Sequence, residues 1–217
     1  NAIIGLTAHV LTSPSLDIPS DVITHGDPVY ASQVFMWQVN PHGLAIIWAG
    51  RVGVMGLALW LAALVWRWSG QLWRSRWAAG VALFLFTFDP NVLAHGSLAT
   101  LDLGTAFFLF LAAYAVWVYW RQPGLRPFLL AGVAIGLALA TKFSALVFFP
   151  ALVLAVFYRG WRVGWRRFGW GRELAVIAGW GMVGTAVFLL CYRLDWVMLG
   201  RDFLWQQQHQ LTGHPGF

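Results

Sequence analysis

The chain of 217 residues is 59% hydrophobic and only 10% charged, against about 25% charged residues in an ordinary soluble domain. That balance excludes a soluble globular enzyme and predicts an integral membrane protein. The net charge of +6 is no nucleic-acid signal, because all but one of the basic residues are arginines clustered in short loops between apolar runs, the pattern of a topology signal.

In chain order, residues 1–43 are mixed, and Pro14, Pro19, Pro28 and Pro41 break any long helix. NAIIGLTAHVL (1–11) reads as an amphipathic helix lying in the interface, and the rest of 1–43 as an ordered outer loop. Apolar runs follow at 44–66, 77–88, 103–120, 128–141, 143–158 and 174–193. They predict an all-α, polytopic membrane bundle over 44–193 with about six transmembrane helices. A crossing needs about 20 residues, so 77–88 and 128–141 must borrow flanking residues or tilt. Residues 194–217 read as the start of a further extracytoplasmic loop. Fifteen tryptophans suit the headgroup boundary, and a lone Cys191 excludes an intrachain disulfide. Asn1 is preceded by no initiator Met, and the chain stops at GHPGF; a fragment of a larger protein is expected.

Charge decides whether 128–158 is one helix or two. With a break at Thr141-Lys142, the loops 67–77, 121–127 and 159–173 share one side and hold ten of the fourteen basic residues. Without it, the arginines of RGWRVGWRRFGWGR would oppose the other basic loops. The break is therefore predicted, with the arginine-rich side cytoplasmic. Seven of the eight acids and all six histidines then lie outside. Acid–base chemistry near neutral pH uses these groups, so any chemistry is expected on the extracytoplasmic face.

The segment DPNVLAHGSLATLD (89–102) places two carboxylates and an imidazole between two hydrocarbon-like runs. Asp89-Pro90 reads mainly as a helix stop and turn. Asp102 begins the next helix, where a carboxylate can cap backbone N–H groups and also serve a site. His95 could donate to a phosphate oxygen or shuttle a proton, or simply be solvated, and Gly96 beside it permits a close backbone approach or a turn. Lys142, the single lysine, either snorkels to the interface or faces a lipid phosphate. A unit charge about 4 Å from phosphate is worth roughly 4 kcal/mol at an effective dielectric near 20. Arg51, opening the apolar part of its helix, carries the same two readings. His209 and His214 with Asp202 are the residues that raise a divalent metal, but a spacing of five without a cysteine partner is not diagnostic. The sequence names no certain cofactor and leaves a divalent metal open. Gly132-xxx-Gly136 and Gly50/Gly53/Gly56 read as close helix packing.

Several stretches carry a resemblance. PNVLAHGSLATLDLGTAFFLFLAAYAVW resembles the loop and following helix of bacterial membrane glycosyltransferases related to protein O-mannosyltransferases and lipid A aminoarabinose transferases. GLALATKFSALVFFP (136–150) resembles their next paired helices, AGRVGVMGLALWLAALVWRW their second helix, and HQLTGHPGF an outer-loop segment after the seventh. The resemblance implies a GT-C type fold in a cell membrane and a sugar donor carried on a polyprenyl phosphate. It implies a catalytic role for Asp102 and His95, lipid-phosphate binding by Arg51 and Lys142, and outer-loop contacts for His209 and His214. In that family an acidic catalytic residue and an HPP-type motif lie in the first outer loop. Neither is in this sequence, and Asp17, Asp21 and Asp27 do not match, so the isolated chain is expected to be inactive.

The expected function is inverting transfer of a sugar, mannosyltransferase-like, from that donor to a lipid, glycan or protein acceptor outside the cytoplasm, with the bilayer as the other partner and no nucleic acid. The alternative is a multi-span transporter or lipid flippase without covalent chemistry, which predicts broken helices and polar groups near the midplane.

Overall fold

A computed structural model of the chain describes residues 10–15, 28–165 and 168–191, and these contain helices and turns but no strand. The predicted interfacial helix lies outside them except at its end, where residues 10–12 begin or continue a helix. Helix α1 (Pro28–Gln33) starts on a proline, whose fixed φ suits a first turn, and runs into a π-helical turn, Val34–Val39. The remaining helices are α2 (Gly43–Trp73), α3 (Arg76–Thr87), α4 (Pro90–Gly96), α5 (Leu101–Arg121), α6 (Leu125–Thr141), α7 (Phe148–Val163, preceded by a 3-10 turn at Phe143–Val147) and α8 (Trp170–Cys191).

Where described, every predicted apolar run is helical over nearly all its length, and the helices able to cross a membrane are slightly fewer than the expected six or so. Among the described residues four helical stretches are long and apolar enough to cross a membrane: α2, α5, Phe143–Val163 and α8. A fifth exists only if α3 and α4, bent by 62°, form one broken span. The 17 residues of α6 reach about 26 Å, short of a hydrocarbon core of about 30 Å. It stops because Lys142 is extended (φ −157, ψ 131), which is where the charge argument put the break.

The chain forms two compact units, residues 1–114 and 115–217. In the first, α2 reverses into α3 at Arg74, a left-handed residue (φ 51), and Ser75, whose hydroxyl accepts from the Ala78 N–H. Val54, Leu61 and Leu103 form a buried cluster with Phe86, Phe107 and Phe110 around it. One helical step of seven residues further along both α2 and α5, Trp68 meets Phe110 edge-on at 5.0 Å, so these two helices run in the same direction. Gly70 faces Ala79 while Phe86 reaches the Val54 cluster, so α3 runs against α2. Arg67 does not end α2, because its Nε donates to the Tyr114 hydroxyl at 2.9 Å. At the other end, Gly43 lies so close to the Met36 carbonyl that no side chain fits. Buried Asn40 ties the N-terminal segment down: its amide accepts from Ser15 N at 2.8 Å and donates to the Ser15 and Phe35 carbonyls.

In the second unit α6 and α8 pack through small residues. Phe128 faces Gly179, Gly132 faces Val183 at 2.6 Å from an ideal Cβ, and Gly136 faces Val187 at 2.8 Å and the Gly184 carbonyl. The contacts advance four residues at a time along both helices, so these too run in the same direction. This is the close approach that the Gly132-xxx-Gly136 spacing predicts.

Candidate functional site

The segment 89–102 is shaped by local capping. The Asp89 carboxylate accepts from the N–H groups of Asn91 at 2.8 Å and Val92 at 3.1 Å, with Pro90 at the first helical position. Asp89 is therefore the N-cap of α4: the chain does leave α3 just before it, but the reading as a stop and turn missed that a new helix starts there. α4 ends against the middle of α2, where Gly96 approaches Ala58. Residues 97–100 then turn the chain, with the Thr100 N–H donating to the Leu98 carbonyl at 2.8 Å. α5 begins at Leu101 with Asp102 in its first turn, where the helix dipole favours a carboxylate.

The turn brings two of the sequence-predicted residues together. His95 Nδ1 and Asp102 Oδ2 are 3.8 Å apart, too far for a hydrogen bond and close enough for an ion pair when the imidazole is protonated. The side chains are 43% and 47% exposed, so such a pair is worth about 1 kcal/mol or less to stability. Stability does not account for the arrangement. His95 Nδ1 is itself buried and has no hydrogen-bond partner, although the rest of the ring is accessible. A nitrogen turned inward beside a carboxylate, with the ring edge open, is the geometry of a group that can pass or hold a proton.

Arg51 belongs to the same unit. It lies two helical turns, about 10 Å along α2, from the Ala58 level where α4 docks. Its guanidinium sits 4.9 Å from the Trp48 ring centroid, and its Nε is buried without a hydrogen-bond partner. An unsatisfied buried donor costs about 1–3 kcal/mol, more when charged, and an anionic ligand would relieve it. Sequence reasoning passed over Thr100, whose hydroxyl is also buried and without a hydrogen-bond partner. A small hydroxyl immediately before the helix start was the signal available for it.

Lys142 lies in the second unit, exposed at the junction of α6 and the 3-10 turn. Its N–H donates to the Ala138 carbonyl and its carbonyl accepts from Ala145, so the backbone on both sides is held. His209 and His214, with Asp202, lie outside the described residues. Among the described residues no three His, Cys, Asp or Glu side chains are grouped to hold a metal ion.

The family profile of dolichyl-phosphate-mannose-protein mannosyltransferase matches residues 32–207, most of the chain. The matched stretch contains Arg51, His95, Asp102 and Lys142 and ends before His209. No curated protein and no solved structure matches the chain.

Proposed function

The chain belongs to the dolichyl-phosphate-mannose-protein mannosyltransferase family, a membrane glycosyltransferase of mannosyltransferase type, and on that premise we propose what it transfers and how. The donor is a mannose-type sugar on a polyprenyl phosphate, and the acceptor is a hydroxyl presented outside the cytoplasm, with a protein as the acceptor class that the family description favours. The acceptor oxygen attacks the anomeric carbon, the bond from that carbon to the phosphate oxygen breaks, and the configuration inverts. A carboxylate takes the acceptor proton, and the polyprenyl phosphate leaves with the bonding electrons.

Asp102 and His95 shape the reacting end, one carboxylate and one imidazole orienting the acceptor hydroxyl or the phosphate oxygen. Arg51 in the first unit, and independently Lys142 in the second, is a candidate cation for the lipid phosphate. A cation whose contact strengthens as the phosphate gains charge lowers the barrier rather than merely tightening binding. The observation that carries this reading is the 3.8 Å approach of His95 Nδ1 to Asp102 Oδ2 at the head of α5, inside the stretch that the family profile matches. The family match gives the transporter or flippase alternative no support. The protein resides in the cell membrane with this face outward.

The test uses the full-length protein in membranes supplied with radiolabelled polyprenyl-phosphate mannose. Asp102→Asn and His95→Gln should each lower kcat by about 100-fold, the scale on which a misplaced reacting group slows a reaction, with protein levels unchanged. Lys142→Gln should lower kcat by up to about three decades if about 4 kcal/mol of phosphate stabilisation is lost. Wild-type turnover in Asp102→Asn removes Asp102 from the site and refutes its orienting role.

A further inference from the structure

One end of the second unit concentrates basic charge and aromatic surface. Arg159 of α7 lies over Trp120 of α5 at 5.3 Å and over Phe168 at 5.9 Å, and it pairs with Glu173 in the first turn of α8. Tyr119 of α5 sits 6.0 Å from Phe128 of α6 and 5.5 Å from Trp180 of α8. The Arg159 contacts gather the last turns of α5 and α7 with the first turn of α8, and Tyr119 brings the start of α6 to the same end. Arg121, Arg126, Arg159, Arg162 and Arg172 all belong to those turns. Against them stands one carboxylate among the unit's described residues, Glu173, which is buried and paired with Arg159. Arg121, Arg126, Arg162 and Arg172 are exposed.

Apolar surface lies among these guanidiniums. Trp161 is 66% exposed and Trp165 49%, with Leu125, Tyr158 and Val163 exposed as well. Trp165 stacks nearly flat on Trp170, centroids 5.4 Å apart at 10°, and Trp170 packs edge-on to Phe168, so the outward indole stands on a built aromatic base. Gly164, at φ 92, makes the sharp exit from α7 that brings Trp165 over it.

We propose that this end is a docking surface for the headgroups of anionic phospholipids. Phe143–Val163 and α8 are both long and apolar enough to cross a membrane, and one ends and the other begins here, so continuity puts this surface at headgroup depth. Indoles favour that depth, and guanidiniums there attract acidic lipids by a factor of about five each. A soluble acidic partner would satisfy the arginines and leave Leu125, Trp161 and Val163 in water, whereas a lipid layer takes both. The excess of arginine makes it the cytoplasmic leaflet.

The experiment equilibrates the purified full-length protein in mixed micelles with equal phosphatidylglycerol and phosphatidylcholine, then counts retained lipids by native mass spectrometry. Wild type should retain phosphatidylglycerol preferentially. Arg162→Gln/Arg172→Gln should cut that preference by about 30-fold, two such factors multiplied, while Arg162→Lys/Arg172→Lys keeps it. Equal retention of both lipids by wild type overturns the proposal, with no variant needed. So does an undiminished preference in the double glutamine variant. Displacement of the lipid by inositol hexakisphosphate at equal phosphate concentration would assign the surface to a soluble polyanion instead. None of these outcomes depends on the catalytic reading, because no sugar donor is present.

Discussion

Removing either member of the Arg159–Glu173 pair should destabilise the second unit, and unequally. The Glu173 side chain is 10% exposed and the Arg159 side chain 31%. Arg159→Leu strands a nearly buried carboxylate and also removes the cation from over Trp120 and Phe168. A buried charge left without its partner costs about 3–5 kcal/mol, and each partly desolvated cation–π contact adds about 0.5–1 kcal/mol. Glu173→Gln leaves an arginine whose side chain is 31% exposed and keeps both rings, so the loss is about 1–2 kcal/mol. The double variant Arg159→Leu/Glu173→Leu, which buries no charge, should recover most of the deficit. Unfolding midpoints in a sodium dodecyl sulfate titration rank the four proteins. The reasoning fails if Glu173→Gln proves more damaging than Arg159→Leu, or if the double variant is the least stable of the set.

Gly136→Ala should destabilise by about 2–3 kcal/mol, the range for overpacking, because its Cβ would meet the Gly184 carbonyl and Val187. Gly181→Ala, with nothing within 4 Å, should be neutral or raise stability by about 0.5–1 kcal/mol, and the same detergent titration compares them. Asn40→Leu abolishes three hydrogen bonds linking residue 40 to Ser15 and Phe35, a loss of about 2–3 kcal/mol. Limited proteolysis should then cleave near residues 10–15 well before wild type is cut, and equal cleavage rates would show that the amide does not hold the segment.

The sequence was legible wherever the cause of structure is local. Apolar runs of sufficient length became helices because a backbone in hydrocarbon must satisfy its own hydrogen bonds. Asp89-Pro90 marked the end of the run before it, but the helix it starts, capped by a carboxylate and a fixed φ within one turn, was not read from it. The break at Lys142 followed from the distribution of arginines. Gly132 and Gly136, four residues apart, announced a close contact, and α8 provides it.

What the sequence did not disclose were interactions between distant residues. Arg67 looked like the end of a span, yet α2 continues to Trp73, because Tyr114, 47 residues later, accepts from its guanidinium and the Ser69 hydroxyl donates back to the Val65 carbonyl. The run at 77–88 looked like a crossing, but α3 ends after 12 residues and α4 leaves it at 62°, so the described residues hold four helices long and apolar enough to cross, or five with that bent pair. Composition could place acids and histidines in one loop; only the turn through residues 97–100 sets Asp102 beside His95 rather than beside Asp89. Capping, hydropathy and charge asymmetry act over a few residues or a whole helix and are written in order along the chain. Which side chains meet depends on helix rotation and register, which are decided when the helices pack.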